Sequence, residues 1–240
     1  MAIPGSLVLS PDQIAANLAE VRLRIARACA RSSRRPDDVR LVAISKTHST
    51  GAVAAAIAAG QLDFGENQVQ EALTKIPEFA GQGLHWHFIG HLQSNKAKFL
   101  PGNFQWLHTL DSMELAQKLS RAALERRAVV NCLIQVNVTG DPRKSGIATE
   151  AVAPLLEQLL EQHLVGISLR GLMTIGPQRG GDVELRGCFA QLRGLQQRIH
   201  ADFDLDNFDQ LSMGMTGDME QAIAEGATMV RVGSAIFGER

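Results

Sequence analysis

Between Leu41 and Val232 a short apolar run followed by a helix-forming segment recurs, with no two apolar runs adjacent. No other feature constrains the chain as much, because parallel strands joined by right-handed crossovers are what such alternation packs into. The strand-like runs are Leu41–Ser45, Leu62–Gly65, Trp86–Ile89, Trp106–Leu110, Val130–Val138, Leu169–Ile175, Phe208–Met213 and Met229–Val232. Helical segments between them cover Ala52–Ala59, Asn67–Ile76, Ser94–Phe99, a stretch capped by Asp111 or Ser112, Thr149–Gln162, Val183–His200 and Asp218–Glu225. Gly60 and Gly226 sit where helices end in a left-handed residue, and Pro77 and Pro101 stop two others. Eight units in 240 residues favour an α/β chain closed as a (β/α)8 TIM barrel over an open doubly wound sheet. The first strand is not followed by the GxGxxG turn of a dinucleotide fold.

Upstream of the barrel, Pro11–Ala30 has apolar residues at helical spacing behind a Ser10 cap. An extra N-terminal helix and a basic turn, Arg31 to Pro36, therefore precede the main fold within residues 1–36. The turn reads as a solvated linker, and residues 1–240 are expected to form a single domain. Lys and Arg number 24 against 25 Asp and Glu, so no global field favours nucleic acid or an anionic membrane. Three dispersed cysteines, Cys29, Cys132 and Cys188, suggest neither zinc nor a disulfide framework; a reducing, cytoplasmic setting is the simple inference. Neither a signal peptide nor a membrane span is expected.

A barrel gathers its chemistry at the C-terminal ends of the strands. Lys46 ends the first strand there, and alternation puts it on one face with Val42 and Ile44. An amine among apolar neighbours has a depressed pKa and can attack an aldehyde. Around the same mouth fall Glu66 and Asn67, His91, Asn137, Met173, Ser212 to Met215, and Arg231 to Ser234. The loop Ser212-Met213-Gly214-Met215-Thr216-Gly217-Asp218 offers small residues and a hydroxyl before a helix, and Gly233-Ser234 repeats the arrangement. Loops after the last two strands are the usual phosphate position of this fold. A lysine facing a phosphate cradle suits pyridoxal 5′-phosphate; a phosphorylated sugar on a Schiff-base aldolase needs the same two features.

The segments Val42 to Thr47, Phe64 to Glu71, His87 to Lys96, Gly171 to Ile175, Leu211 to Asp218 and Val230 to Gly238 together resemble the pyridoxal phosphate homeostasis proteins. That family is similar in fold to the N-terminal barrel of alanine racemase, a fold-type III arrangement. The resemblance implies that Lys46 holds pyridoxal 5′-phosphate as a Schiff base and that Ser212, Gly214, Gly233 and Ser234 hold the phosphate, with Met213 also among the cofactor-binding residues. It implies that Arg231 lies by the pyridine nitrogen, where a guanidinium keeps the ring a weak electron sink. Asn67, His91, Asn137 and Met173 would line the ring. The implied role is intracellular homeostasis of pyridoxal phosphate, by buffering and delivery, and amino-acid and keto-acid balance, with apo forms of pyridoxal phosphate enzymes as recipients.

Other readings use some of the same residues. His85 and His87 lie two apart with His91 and His108 nearby, but no matching carboxylates can be placed, so no metal site is assigned. Glu66 could act as a general base; a solvated carboxylate or helix-start charge is the plainer reading. A racemase needs two bases, and alanine racemase takes its second from a tyrosine in another domain. This chain contains no tyrosine, and its end coincides with that of the barrel. A monomeric carrier with an open mouth is therefore expected rather than an enzyme. The alternative is an amino-acid racemase or Schiff-base lyase of the same fold.

Overall fold

Eight strands close into a barrel in strict chain order, and the last pairs back in parallel with the first. In the computed structural model, which describes residues 9–177 and 180–239, the strands are β1 (Arg40–Ile44), β2 (Asp63–Glu66), β3 (His85–Phe88) and β4 (Trp106–Leu110). They continue as β5 (Val130–Gln135), β6 (Ile167–Met173), β7 (Gln210–Ser212) and β8 (Met229–Val232). The helices are α1 (Pro11–Arg31), α2 (Thr50–Ala58), α3 (Val69–Lys75), α4 (Met113–Arg126), α5 (Val152–Glu161), α6 (Asp182–Phe203), α7 (Met219–Ala224) and α8 (Ser234–Phe237). The expected TIM barrel with an added N-terminal helix is what forms. The reading of Met1 to Ser10 as free of a leader falls mostly outside the described residues.

Three elements differ from the expectation for local reasons. Between β3 and β4 the crossover is a 3-10 helix, Ser94–Phe99, rather than an α-helix. The fifth strand stops at Gln135, and Val136 makes only an isolated bridge to Ile147 as the chain turns out into a loop. The seventh strand is only Gln210–Ser212, since Phe208 N–H is taken by Leu205 in the preceding turn.

Helix α1 starts on a capping box: Ser10 Oγ accepts from Gln13 N–H, and the Gln13 side chain accepts from Ser10 N–H. Its buried stripe Ile14, Leu18, Val21 and Ile25 follows the helical period. The polar flanks bolt it down. Asn17 donates to the Ile236 carbonyl (3.0 Å), Arg22 to those of Ala59 and Gly60 (2.8 and 2.9 Å), and Arg24 pairs with Glu220 (2.8 Å). Helices α2, α7 and α8, which flank β1 and β8, are thereby tied together. The basic turn is not simply solvated: Arg34 donates to the Ile223 carbonyl at 2.9 Å.

Apolar residues form two layers. The larger lies between sheet and helices and includes Leu41, Ala43, Phe64, Phe88, Leu172 and Val230. The smaller, Trp106, Leu133, Met173 and Met229, lies inside the barrel. The barrel also encloses polar groups, His87, His108, Ser212 and Arg231, all buried and linked to one another. Among the described residues no helix is long and apolar enough to cross a membrane.

Candidate functional site

A cleft of about 480 Å³ opens at the C-terminal end of the barrel. Ile44, Lys46 and His48 form one wall, and Met215, Thr216 and Gly217 with Gly233 and Ser234 also line the cleft, Gly233 lying beside Ile44. Arg231 reaches the cleft from β8. Lys46 and the two glycine-containing loops therefore share one space. His48 is stacked on Phe237, with ring centroids 4.9 Å apart.

The β7 loop is shaped by its own residues. Asp218 Oδ1 accepts from Met215 N–H at 2.5 Å, closing the turn, and burial pushes the Asp218 carboxyl above its usual range. Gly214 has φ +94°, and a Cβ there would stand 2.6 Å from the Ala222 Cβ of α7. Glycine at this point serves the left-handed turn and the close approach of α7. Beyond it, Thr216 presents a hydroxyl to the cleft, 3.3 Å from Ser234 Oγ. Thr216 lies in the motif Ser212 to Asp218, but the motif alone assigns it no role. A hydroxyl two residues past the glycine, in the same loop, was the available signal.

Beneath the cleft runs a buried hydrogen-bonded chain. Arg231 Nη1 donates to Ser212 Oγ at 2.6 Å and Nη2 to the Thr174 carbonyl at 2.9 Å. Ser212 Oγ is 2.9 Å from His108 Nδ1, His108 Nε2 is 2.9 Å from His87 Nδ1, and His87 Nε2 is 3.1 Å from Asp63 Oδ1. A single set of tautomers satisfies all of these. The carboxylate of Asp63 only accepts, so His87 donates from Nε2 and accepts at Nδ1. His108 then donates from Nε2 and accepts the Ser212 proton, which leaves the Ser212 oxygen facing the guanidinium. Burial holds both imidazoles below their usual pKa, His108 well below, with further lowering of His108 by His87, Arg231 and Arg40. For Asp63 burial pushes upward, but the hydrogen bond and charge of His87, with Arg40 and His85, win and hold it low. Burial lowers Arg231 to about 10, so it stays cationic at neutral pH.

Ser212 is fully buried and engaged by Arg231 and His108, so its hydroxyl lies below the cleft rather than in it. The Met213 side chain is in the helix–sheet layer, and Met173 is in the inner apolar cluster. Asn67 and His91 line a neighbouring cleft of about 280 Å³, where His91 sits 3.6 Å from Asp111. Asn137 secures the loop after β5, donating to the Asp141 carbonyl at 2.8 Å and accepting from Thr139 at 3.0 Å. Glu66 is not a solvated carboxylate. It is fully buried and paired with Lys75 at 3.0 Å, a contact that needs the β2–α3 turn and is invisible in the sequence. Among the described residues no group of three or more His, Cys, Asp or Glu could hold a metal ion.

The donors that do meet at the cleft suit pyridoxal phosphate. An amine answers its aldehyde, a fixed guanidinium answers its ring nitrogen, and hydroxyls with adjoining backbone amides answer its phosphate.

Comparison with known proteins agrees with this geometry. The family model described as the alanine racemase N-terminal domain matches residues 10–240. The pyridoxal phosphate homeostasis protein of Pseudomonas aeruginosa is 44% identical over 227 residues, covering 95% of this chain and 96% of its own. The chain belongs to this family. Another member, from Escherichia coli K12, is 42% identical over 236 residues, covering 95% and 97% of the two chains. The family fold also matches PipY of Synechococcus elongatus PCC7942 with pyridoxal phosphate bound, at a TM-score of 0.82 and 37% identity over 94% of this chain and all (100%) of PipY. Alanine racemase of Clostridium difficile 630 matches at a TM-score of 0.73 and 15% identity, over 95% of this chain and 60% of its own. That likeness concerns the fold alone.

Proposed function

We propose that this chain binds pyridoxal 5′-phosphate in the mouth cleft and acts in its intracellular homeostasis, as a carrier rather than an enzyme. The observation that carries the reading is that Lys46 shares one cleft with Thr216, Gly217, Gly233 and Ser234, with Arg231 at its floor. The family to which the chain belongs bears that role in its name, and PipY was solved with this cofactor bound. When bound, the cofactor supplies an aldehyde for covalent attachment and a ring that can draw electrons.

The chain's own residues divide the work. Lys46 supplies the amine for covalent attachment, and Thr216 and Ser234 donate hydroxyl protons to phosphate oxygens beside the backbone of Gly217 and Gly233. Arg231, pinned by Ser212 and Thr174, keeps further N–H groups for the ring nitrogen. Because it remains protonated, it leaves that nitrogen unprotonated, which weakens the ring as an electron sink and disfavours removal of an α-proton. We place Met173, Met213, Gly214 and Ser212 in support of this site, and Asn67 and His91 at its outer edge. The cleft opens to solvent, so an incoming amine can reach the attachment point, as delivery to apo enzymes requires. A monomeric, single-domain, cytoplasmic protein fits this role, and its three cysteines are free and buried.

The test is spectroscopic. The purified chain with added pyridoxal phosphate is expected to show an imine absorbance that is absent in Lys46→Ala, with no α-proton exchange across a panel of amino acids. Turnover of any of them, eliminated by Lys46→Ala, would instead establish the racemase or lyase reading.

A further inference from the structure

Lys46 leaves β1 through a tight turn that one buried ion cluster grips on both sides. The His48 N–H bonds the Ser45 carbonyl at 3.1 Å, which makes Lys46 and Thr47 the central residues of the turn. Thr47 has φ +67°, a left-handed conformation that a β-branched residue avoids. Such a backbone persists only where its surroundings over-determine it.

Those surroundings come from α3 and the end of β2. Glu71 Oε1 accepts from the Thr47 N–H at 2.5 Å. Lys75 Nζ donates to the Ser45 carbonyl at 2.8 Å, to Glu66 Oε1 at 3.0 Å and to Glu71 Oε1 at 2.6 Å. The Ser45 hydroxyl makes a further bond to Glu66 Oε1 at 2.7 Å. An ammonium has three N–H groups, and these acceptors occupy all of them. The Lys75 side chain is only 6% exposed and Glu66 is fully buried, while Glu71, 23% exposed, closes the cluster toward the surface.

A buried ion pair might serve only to fasten α3. That explanation is weak, because apolar residues of similar volume stabilise as well or better at such places. An apolar residue at position 75 could not grip the Ser45 carbonyl, nor keep Glu71 beneath the Thr47 amide. We infer that Lys75, through Glu66 and Glu71, is the positioning residue for Lys46, fixing the turn so that the Lys46 side chain leaves the strand end into the cleft. Lys46 lines that cleft and Lys75 and its two carboxylates do not; they hold the turn at the Thr47 N–H, the Ser45 carbonyl and the Ser45 hydroxyl. The inference deepens the proposed function, since it takes Lys46 as the point of covalent attachment.

The test uses two ligands and one reagent on the full chain. Pyridoxal 5′-phosphate labels Lys46, read by borohydride trapping and peptide mapping; pyridoxine 5′-phosphate has the same phosphate but an alcohol where the aldehyde would be. Glu71→Ala and Lys75→Met are expected to slow labelling about tenfold or more while changing the pyridoxine phosphate affinity less than about twofold. Glu71→Gln keeps an acceptor for the Thr47 amide and is expected to label within about twofold of wild type. If Lys75→Met fails to fold, the Glu71 pair decides. Folded Glu71→Ala labelling at the wild-type rate, or Glu71→Gln as slow as Glu71→Ala, would overturn the inference. Acetic anhydride reads the same device with no cofactor present. Lys46 acetylation relative to exposed lysines should change about threefold or more in Glu71→Ala and stay near wild type in Glu71→Gln. Should wild type take up no pyridoxal phosphate at Lys46, the proposed function fails, and the acetylation contrast alone then supports or overturns the positioning role.

Discussion

Replacing His108 by leucine removes the middle of the buried chain that runs from Arg231 to Asp63, and the consequence depends on pH. The imidazole is fully buried, and burial, aided by His87, Arg231 and Arg40, keeps its native pKa well below 6.5. In the unfolded chain it titrates at about 6.5. Above that pH both states are neutral and the group contributes no slope. Below it the unfolded chain takes up a proton that the native chain refuses, so stability is full above 6.5 and is lost as pH falls toward the native pKa. Linkage gives a loss of about 1.4 kcal/mol at pH 5.5 and about 2 kcal/mol at pH 5 while native His108 stays neutral. His87 and Asp63, whose native values are also lowered, act in the same direction; Glu66 and Asp218, raised by burial, act in the opposite one. Comparing wild type with His108→Leu at each pH isolates the His108 part. Leucine also strands the Ser212 hydroxyl and His87 Nδ1, each at about 1–3 kcal/mol, so the variant should be about 2–6 kcal/mol less stable at pH 7.5. That gap should narrow by about 1.4 kcal/mol or more at pH 5.5, since a His87 freed of its partner protonates more readily and adds to the narrowing. Urea unfolding followed by the fluorescence of the buried Trp86 and Trp106 measures it. A gap that stays constant from pH 7.5 to 5.5 would refute the neutral, directional chain.

Thr216→Val and Ser234→Ala each remove a hydroxyl from the proposed phosphate cradle. Each should weaken pyridoxine 5′-phosphate binding by about tenfold or more by calorimetry, the worth of a hydrogen bond to a charged group. Gly171 has φ +147°, and a Cβ there would collide with the Gln210 backbone on β7; Gly171→Ala should cost about 2–4 kcal/mol in urea unfolding. The Cys132 thiol is buried and burial pushes its pKa far up, so iodoacetamide should label it only at the rate of global unfolding.

The alternation of apolar runs and helices is enough to read the barrel, because the strands are short, largely buried and separated by helical segments. It also put Lys46 at a strand end facing the same way as Ile44, and both line the cleft. Which face each later residue uses was harder to read. Ser212 is the polar residue a phosphate would be expected to meet, yet register against β8 turns it inward under Arg231, and Thr216 takes the mouth. His87 and His108 read as stray metal-ligand candidates because their contact depends on the β3–β4 register, which periodicity does not encode. Glu66 and Lys75 lie nine residues apart, |i−j|=9, across a strand-to-helix turn, a separation that no helical or strand period brings together.

Two separate polar networks support the cleft from below and beside it, and their division makes physical sense for the proposed carrier, which would take up and release a ligand. One fixes Arg231 through Ser212, His108, His87 and Asp63; the other fixes the backbone around Lys46 through Lys75, Glu66 and Glu71. They anchor on neighbouring strands, since Val42 of β1 pairs with Arg231 of β8 and Ala43 with Val232. Buried polar networks hold one arrangement when their members are satisfied, and here the chain supplies the bonds itself, with Glu66 Oε2 left without a partner. Floor and lysine wall are thus set before any ligand arrives, so binding need not order them and loses less to conformational entropy. Loops whose backbone turns on Asp218 and Gly214 complete the proposed phosphate side from the surface. Under the proposed function, a rigid floor beneath an open mouth would permit a covalent bond to form and to be exchanged without the fold having to move, and exchange is the property that separates a carrier from a trap.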